Sequence, residues 1–267
     1  MATITHPTTQ RPPSKVLEWI TTVDHKKIGI MYIVTTLTFF VLGVVLAEVM
    51  RAELTVPGGQ FVSADAYNQL FSMHGTTMVF LFIIPIGAGI ANYVIPLLIG
   101  ARDMAFPRLN ALSFWLLLFG GLTVYSGFLV EGGAAANGWT AYPPLSSKQF
   151  SPGLGTDLWL IGLALTGTSS LIGSINFIVT ITRMRAPGLT WMKLPLFVWT
   201  TYTMAFMILL ATPILTGGMA MLLADRNLGT QFFAVEAGGD PVLWQHYFWF
   251  YSHPAVYIII LPAMGIV

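Results

Sequence analysis

The chain has 267 residues, of which 55% are hydrophobic and only 9% are charged. Together with a mean hydropathy of +0.73, this composition excludes a soluble domain and indicates a polytopic membrane protein. A net charge of +1 gives no basis for binding nucleic acid. The sequence contains no cysteine, which excludes disulfides and thiolate metal sites within the chain.

Six apolar stretches are each long enough to cross a bilayer, which requires about 20 residues. They predict an all-α fold of six transmembrane helices. A cytoplasmic segment, residues 1–27, precedes the first span and ends in an amphipathic interfacial helix, so we expect His6 and His25 in this segment to be solvated or interfacial. The predicted spans lie near residues 28–48, 69–99, 109–130, 157–182, 196–223 and 243–267.

The basic residues predict the orientation of these spans. With the N-terminus in the cytoplasm, nine Lys and Arg residues lie inside and three outside, as the positive-inside rule requires. The inside residues are Arg11, Lys15, Lys26, Lys27, Arg102, Arg108, Arg183, Arg185 and Lys193, and the outside residues are Arg51, Lys148 and Arg226.

The last span carries polar aromatic groups at helical spacing. Trp249, His253 and Tyr257 are four residues apart, which puts all three on one face of a helix. Such groups are costly in hydrocarbon unless they face a cavity, a metal or a partner. A histidine that only packs and forms a hydrogen bond is the alternative to a metal ligand.

The string WQHYFWFYSHPAVYIIILP in this span resembles the sixth helix of subunit I of the haem-copper oxidases, usually WQHxFWFxGHPEVYxxILP. The resemblance implies that His253 ligates the copper called CuB. Tyr257 would be joined covalently to that histidine, and Trp249 would lie beside the metal. The resemblance extends over residues 17–267 and implies that residues 28–267 are helices I–VI of a twelve-helix bundle.

The second span contains another histidine, His74, in the string NQLFSMHGTTMVFLF. Neutral imidazole is a common axial ligand of haem iron, and Gly75 leaves room beside it for a large flat group. The alternative is a packing or hydrogen-bonding histidine. The resemblance implies that His74 ligates the low-spin haem and that Arg51 contacts a peripheral substituent of that haem; an interfacial cation reaching water is the alternative for Arg51.

A Pro-Gly turn follows the first span and contains Glu53, Gly58 and Gln60. A carboxylate near exposed carbonyls suits a hard cation. Subunit I of many oxidases binds calcium or sodium at the corresponding turn, so we take these three residues as a candidate cation site. A solvated turn is the alternative.

Asp103 lies between the second and third spans and predicts a proton entrance at the cytoplasmic boundary. A carboxylate that favours the start of a helix is the alternative. The resemblance implies that Asp103 opens the D pathway and that Asn92 and Asn110 line it. Span four would continue a water-filled seam, although such residues also pack neighbouring helices together; they are Ser169, Ser170, Ser174 and Asn176.

One position departs from the common oxidase pattern. The usual motif HPEVY has a glutamate as proton donor, and this chain has Ala255 there. The preceding pair, Tyr251 and Ser252, resembles the YSHPxVY branch of A-type oxidases, in which the tyrosine hydroxyl replaces the carboxyl. Tyr251 lies four residues before Ala255 and therefore on the same side of the helix. An aromatic packing residue is the alternative.

The loop between spans three and four contains the string GWTAYPPL. In the family its tryptophan, here Trp139, lies near the haem and the face where subunit II delivers electrons, although tryptophan also favours membrane interfaces.

The resemblance as a whole implies one half of the catalytic subunit of a respiratory oxidase in a bacterial inner membrane. It would reduce dioxygen with electrons from cytochrome c and pump protons, using low-spin and high-spin haem, of haem A type, and CuB. Its partners would be the remaining helices of subunit I, subunits II and III, and membrane lipid. A quinol oxidase of the same fold and a cofactor-free proton-coupled transporter are the alternatives.

Overall fold

A computed structural model of the chain describes residues 14–267, so His6 and Arg11 lie outside the described residues. Six apolar helical stretches in the described part are long enough to cross a membrane, which confirms the predicted number of spans. The helices are α1 Lys15–Ile20, α2 His25–Glu53, α3 Ala64–Thr76, α4 Ile84–Ile99, α5 Pro107–Ser126, α6 Gly155–Arg183, α7 Leu196–Asn227 and α8 Pro241–Ile266.

The second span is one continuous helical stretch in which α3 and α4 are joined by a π-helical segment, Thr77–Ile83. Pro85 follows this segment and lacks the amide that would bond to the carbonyl of Leu81 in an α-helix. Short π-helical insertions of this kind shift the faces of the helix relative to each other. Phe80 of this segment stacks on Tyr251 on the buried face of α8.

The spans pack against one another mainly in the pairs α2 with α4, α5 with α6, α6 with α7, and α7 with α8, and close backbone contact holds α5 against α6. A Cβ atom added to Gly120 would lie 2.8 Å from the Gly162 carbonyl oxygen, and one added to Gly162 would lie 2.6 Å from the Gly120 oxygen. Small residues permit this approach, which is typical of helices packed within a membrane. The long loop of residues 130–154 connects the two helices at the end of the bundle opposite to Asp103 and is called the outer loop below.

Large apolar side chains cover the outside of the bundle. Val34, Val41, Phe119 and Leu210 are examples that are more than half exposed. In a helix long enough to span lipid, such a surface faces hydrocarbon. The protein is therefore an integral membrane protein.

Candidate functional site

α8 has two faces of different chemistry. His253, Trp249 and Tyr257 lie on an exposed face, and the His253 and Tyr257 rings are 4.8 Å apart between centroids. Trp249 and Tyr257 are each 46% exposed, so this face is open. Tyr251 and Ala255 are buried on the opposite side of the same helix. The predicted shared face of the tryptophan, histidine and tyrosine is thus present, and so is the separate face of Tyr251.

The outer loop folds inward and contacts the exposed face of α8. The Trp249 indole donates a hydrogen bond to the Tyr142 hydroxyl, and the Trp139 ring lies 6.4 Å from the Trp249 ring at an interplanar angle of 80°. Trp139 also covers Gly75, where an added Cβ would lie 3.3 Å from the indole. The expectation that Gly75 leaves room for a large flat ligand is therefore wrong, because a side chain of the protein occupies that room.

The His74 side chain is half-buried, and its Nδ1 lies 2.9 Å from the carbonyl oxygen of Gly43. A carbonyl can only accept a hydrogen bond, so Nδ1 carries the proton in neutral imidazole. The lone pair then lies on Nε2, the nitrogen that would bind a metal. A backbone carbonyl that orients a histidine in this way is typical of metal-binding imidazoles.

Arg51 lies in the last turn of α2, and its side chain is 78% exposed. Its Nε is 3.7 Å from Oε2 of Glu48 in the same helix. The structure therefore gives Arg51 the partner expected of an interfacial cation. A role toward haem stays a prediction.

The predicted cation site is only partly assembled. Glu53 and Gln60 line one surface depression, whereas Gly58 is outside its lining. The Glu53 carboxylate accepts a hydrogen bond of 2.9 Å from the Val62 amide, and a Cβ on Gly59 would lie 2.4 Å from the Glu53 carbonyl oxygen. The turn is thus stabilised by the carboxylate itself, and a bound cation stays a prediction.

Asp103 lies in the connection between α4 and α5, where its carboxylate accepts a 2.6 Å hydrogen bond from the Met104 amide. Partial burial raises the pKa of this carboxyl above its usual value, while the Met104 amide and positive charge on His25 act in the opposite direction. An acid with a raised pKa at the end of a helical bundle can hold a proton and release it inward.

His25 is buried, with 1% of its surface exposed. Its Nδ1 lies 2.9 Å from the carbonyl oxygen of Asn92. The expectation of a solvated or interfacial His25 is therefore wrong, because the first turn of α2 packs against α4 and the Asn92 carbonyl satisfies the ring. His25 also lies close enough to Asp103 to affect its pKa. In the sequence His25 directly follows Asp24, which caps α2, and this position gives no signal of the contact with Asn92.

The two predicted asparagines of the pathway are buried with unsatisfied amides. Both side-chain polar atoms of Asn110, and Oδ1 of Asn92, have no hydrogen-bond partner within residues 14–267. The Asn92 Nδ2 donates to the Ala88 carbonyl of its own helix. Buried polar atoms of this kind normally bind ordered water.

Tyr32 and Ser113 connect this region to α6, and sequence reasoning missed both. The Tyr32 hydroxyl donates to the Ser113 Oγ at 3.0 Å and lies 3.3 Å from the Ser169 Oγ. Ser169 donates to the Ser113 carbonyl. A buried tyrosine hydroxyl within an apolar span was the available signal for Tyr32.

Two narrow cavities run between these residues and Tyr251. The lower cavity, of about 30 Å³, is lined by Tyr32, Asn92, Gly173 and the three predicted serines Ser169, Ser170 and Ser174. The upper cavity, of about 10 Å³, is lined by Phe80, Thr212 and Tyr251. Ile84 and Ser170 line both. The lower cavity has room for about two waters and the upper for about one.

Two predicted pathway residues, Asn176 and Ser252, do not line these cavities. The Asn176 side chain binds the backbone of Phe106 at two points: its Oδ1 accepts from the Phe106 amide, and its Nδ2 donates to the Phe106 carbonyl. It therefore anchors the connection that carries Asp103. Ser252 is buried beside Tyr251, and its Oγ has no partner within residues 14–267.

The chain resembles known proteins over nearly its whole length. The family described as cytochrome c and quinol oxidase polypeptide I matches residues 27–267. The chain is 50% identical over 261 residues to cytochrome c oxidase subunit 1 of Synechocystis, covering 97% of this chain and 47% of the relative. It is 49% identical over 257 residues to cytochrome c oxidase subunit 1 of Corynebacterium glutamicum, covering 96% of this chain and 44% of the relative.

The chain thus spans about half the length of the curated relatives it matches. The family match includes all six spans and both faces of α8. The chain belongs to the family of cytochrome c and quinol oxidase polypeptide I.

Proposed function

We propose that the chain is part of the catalytic subunit of a terminal respiratory oxidase. The complete subunit reduces dioxygen to water with electrons from cytochrome c and couples this reaction to proton pumping. One observation carries the proposal: α8 presents His253 and Tyr257 on an exposed face and Tyr251 on a buried face reached by cavities. One helix thus separates the site of oxygen chemistry from the supply of protons.

Two imidazoles of the chain fit the metal cofactors of the family. His74 has Nδ1 engaged by Gly43 and Nε2 free to ligate the low-spin haem iron. His253 lies on an open face, where it would ligate CuB together with histidines from the remaining helices of subunit I. When bound, the two haems, of haem A type, and the copper supply electrons to dioxygen.

The side chains around His253 orient the imidazole. Tyr257 packs edge-on against it, with the two rings 77° apart. Trp249 lies one turn before the histidine and is anchored by Tyr142. The side of α8 that carries these groups is open in the chain, and the remaining helices of subunit I would cover it and exclude water from it.

Protons enter at Asp103 and move inward through bound water. Asn92 and Asn110 offer unsatisfied amide groups to that water. Ser170 lines both cavities and passes the proton from the lower to the upper one. Tyr251 receives it at the end of the route and takes the role that a glutamate at position 255 has in most relatives, because Ala255 carries no titratable group.

The same proposal gives the orientation of the chain in the membrane and its partners. The N-terminus lies in the cytoplasm of a bacterium, the inner membrane surrounds the helices, and the Asp103 end faces the cytoplasm. Subunits II and III complete the complex, and Trp139 lies near the entry of electrons from subunit II. Arg51 contacts the low-spin haem, and Glu53 with Gln60 binds calcium or sodium at the outer surface.

A quinol oxidase is the second candidate, because the matching family includes both kinds of enzyme. The test is to purify the whole complex, measure its visible spectrum and metal content, and assay oxygen uptake with reduced cytochrome c and with quinol in parallel. Haem and copper with uptake from cytochrome c alone are expected. Uptake from quinol alone would overturn the donor, and a colourless, metal-free complex would overturn the oxidase.

A further inference from the structure

Arg226 is a buried cation that the proposed reaction does not use. It lies near the end of α7, and its side chain is fully buried, while that of its partner Asp157 in α6 is 8% exposed. The Arg226 Nε donates to Asp157 Oδ1 at 2.6 Å, and Nη2 lies 3.4 Å from Oδ2. A buried charge in a membrane protein is costly unless it is paired and hydrogen-bonded. The pair with Asp157 is therefore what allows Arg226 to be buried.

The same guanidinium also binds the outer loop at two points. Nη1 donates to the Ser146 carbonyl at 2.6 Å, and Nη2 donates to the Gly153 carbonyl at 3.0 Å. Asn227 adds a 3.0 Å hydrogen bond to Asp157. Arg226 therefore ties α6, α7 and the last third of the outer loop together through a single planar group.

The part of the loop just before this clamp holds two indoles of α8. The Trp244 indole donates to the Thr140 carbonyl at 2.9 Å, and the Trp249 indole donates to the Tyr142 hydroxyl. Only three residues separate Tyr142 from Ser146, and the Ser146 amide also donates to the Tyr142 carbonyl at 3.2 Å. The position of the Tyr142 hydroxyl thus depends on where the loop is fastened.

We propose that Arg226 is a positioning residue for Trp249, acting through Ser146 and Tyr142 to fix the indole beside His253. The inference rests on the proposed function for its catalytic consequence, since that function makes His253 a copper ligand. Its structural part does not depend on cofactors. Arginine suits the task because one rigid fork reaches a carboxylate and two carbonyls at once, whereas a lysine ammonium has the charge without the fork.

The first experiment replaces Arg226 by Lys in the whole oxidase complex. Charge pairing with Asp157 is retained, but the two loop carbonyls lose their fixed donors. We expect amide hydrogen exchange to speed up at least about tenfold in residues 138–146 and to stay unchanged in α5. We also expect the ultraviolet resonance Raman signature of the hydrogen-bonded Trp249 indole, assigned by difference with Trp249→Phe, to shift to that of a free indole.

The second experiment removes both charges with Arg226→Met and Asp157→Leu together. Replacing a buried pair by apolar residues leaves folding intact more often than removing one partner. This double variant should therefore assemble with unchanged exchange in α5 while showing the same faster loop exchange and the same Trp249 shift. Arg183→Met, at an exposed position at the other end of α6, is the matched control and should change neither.

Unchanged loop exchange or an unchanged Trp249 signature in Arg226→Lys and in the double variant would overturn the inference. Faster exchange throughout the bundle would also overturn it, because the pair would then be a stability element alone. If the proposed function fails, the complex without substitutions contains no haem and copper. The hydrogen-exchange and Raman comparisons between variants still test the role of Arg226 in that case.

Discussion

Tyr251 stacks on Phe80, with ring centroids 6.1 Å apart and ring planes within 12° of parallel. This contact joins the buried face of α8 to the π-helical segment that follows α3. It holds the phenol ring in the lining of the upper cavity, and the Tyr251 hydroxyl forms no hydrogen bond within residues 14–267. The ring is therefore packed, while its hydroxyl is free to bind water or exchange a proton.

Replacing Tyr251 by Phe tests the relay, because it removes only the hydroxyl and retains the stacking on Phe80. We expect turnover and proton release in vesicles to fall at least about a hundredfold, the scale of losing one proton-transfer group, with haem and copper spectra unchanged. Asp103→Asn should act similarly, and the double variant should be little worse than the slower single variant. Multiplicative losses in the double variant would mean that two separate routes exist.

Filling the lower cavity tests the water route without touching a titratable group. Gly173 lines this cavity, and a Cβ added there meets no atom within 4 Å. We expect Gly173→Ala to displace about one water and to slow proton delivery with normal metal spectra. Gly217→Ala in α7, where a Cβ also meets nothing, is the matched control. Equal rates in the two variants would exclude the cavity from the route.

Removing the imidazole of His25 tests whether its charge lowers the pKa of Asp103, the predicted proton entrance. Burial raises the pKa of Asp103 and positive charge on His25 lowers it, so His25→Gln should raise that pKa further. The carboxyl then keeps its proton to higher pH. A pH titration of its infrared band, identified by its loss in Asp103→Asn, measures the shift. A titration that stays in place, or moves to lower pH, would contradict this coupling.

For Asp103 the pKa shift also predicts the sign of a stability change. Its folded pKa lies above the value in an unfolded chain, so its contribution to folding is complete below the unfolded pKa. That contribution is lost as the pH rises through the folded pKa. Thermal unfolding of Asp103→Asn in detergent should therefore lack this decrease of stability with pH; an identical decrease would assign it to another group.

His253→Ala should remove copper and oxygen reduction together while leaving the low-spin haem band in place. His246→Ala is the control, because His246 is also exposed on α8 and lies two turns before His253. Metal analysis and the visible spectrum of the purified complex measure both effects. Full copper content in His253→Ala would reject the assignment of this ligand.

His74→Ala should abolish the six-coordinate low-spin haem signal, because the Gly43 carbonyl orients only this imidazole toward the site. His74→Met offers a thioether instead and should recover a low-spin haem with a raised reduction potential. The visible spectrum and a redox titration distinguish the two variants. A low-spin signal retained in His74→Ala would mean that the haem has another ligand.

The sequence determined the architecture because lipid imposes a length and a polarity on every span. It also determined the two faces of α8: Trp249, His253 and Tyr257 share one face by helical spacing alone, and Tyr251 lies with Ala255 on another. These relations are local, since they follow from positions in one helix.

Only the tertiary structure decided which distant groups meet. His25 is buried because α2 packs on α4 and the Asn92 carbonyl lies 67 residues away in sequence, and Gly75 is covered by an indole from the outer loop. Tyr32, Ser113 and Arg226 acquire their partners in the same way. Helical periodicity assigns a side chain to a face, but the residue that meets that face depends on the packing of whole helices and on the path of the loops between them.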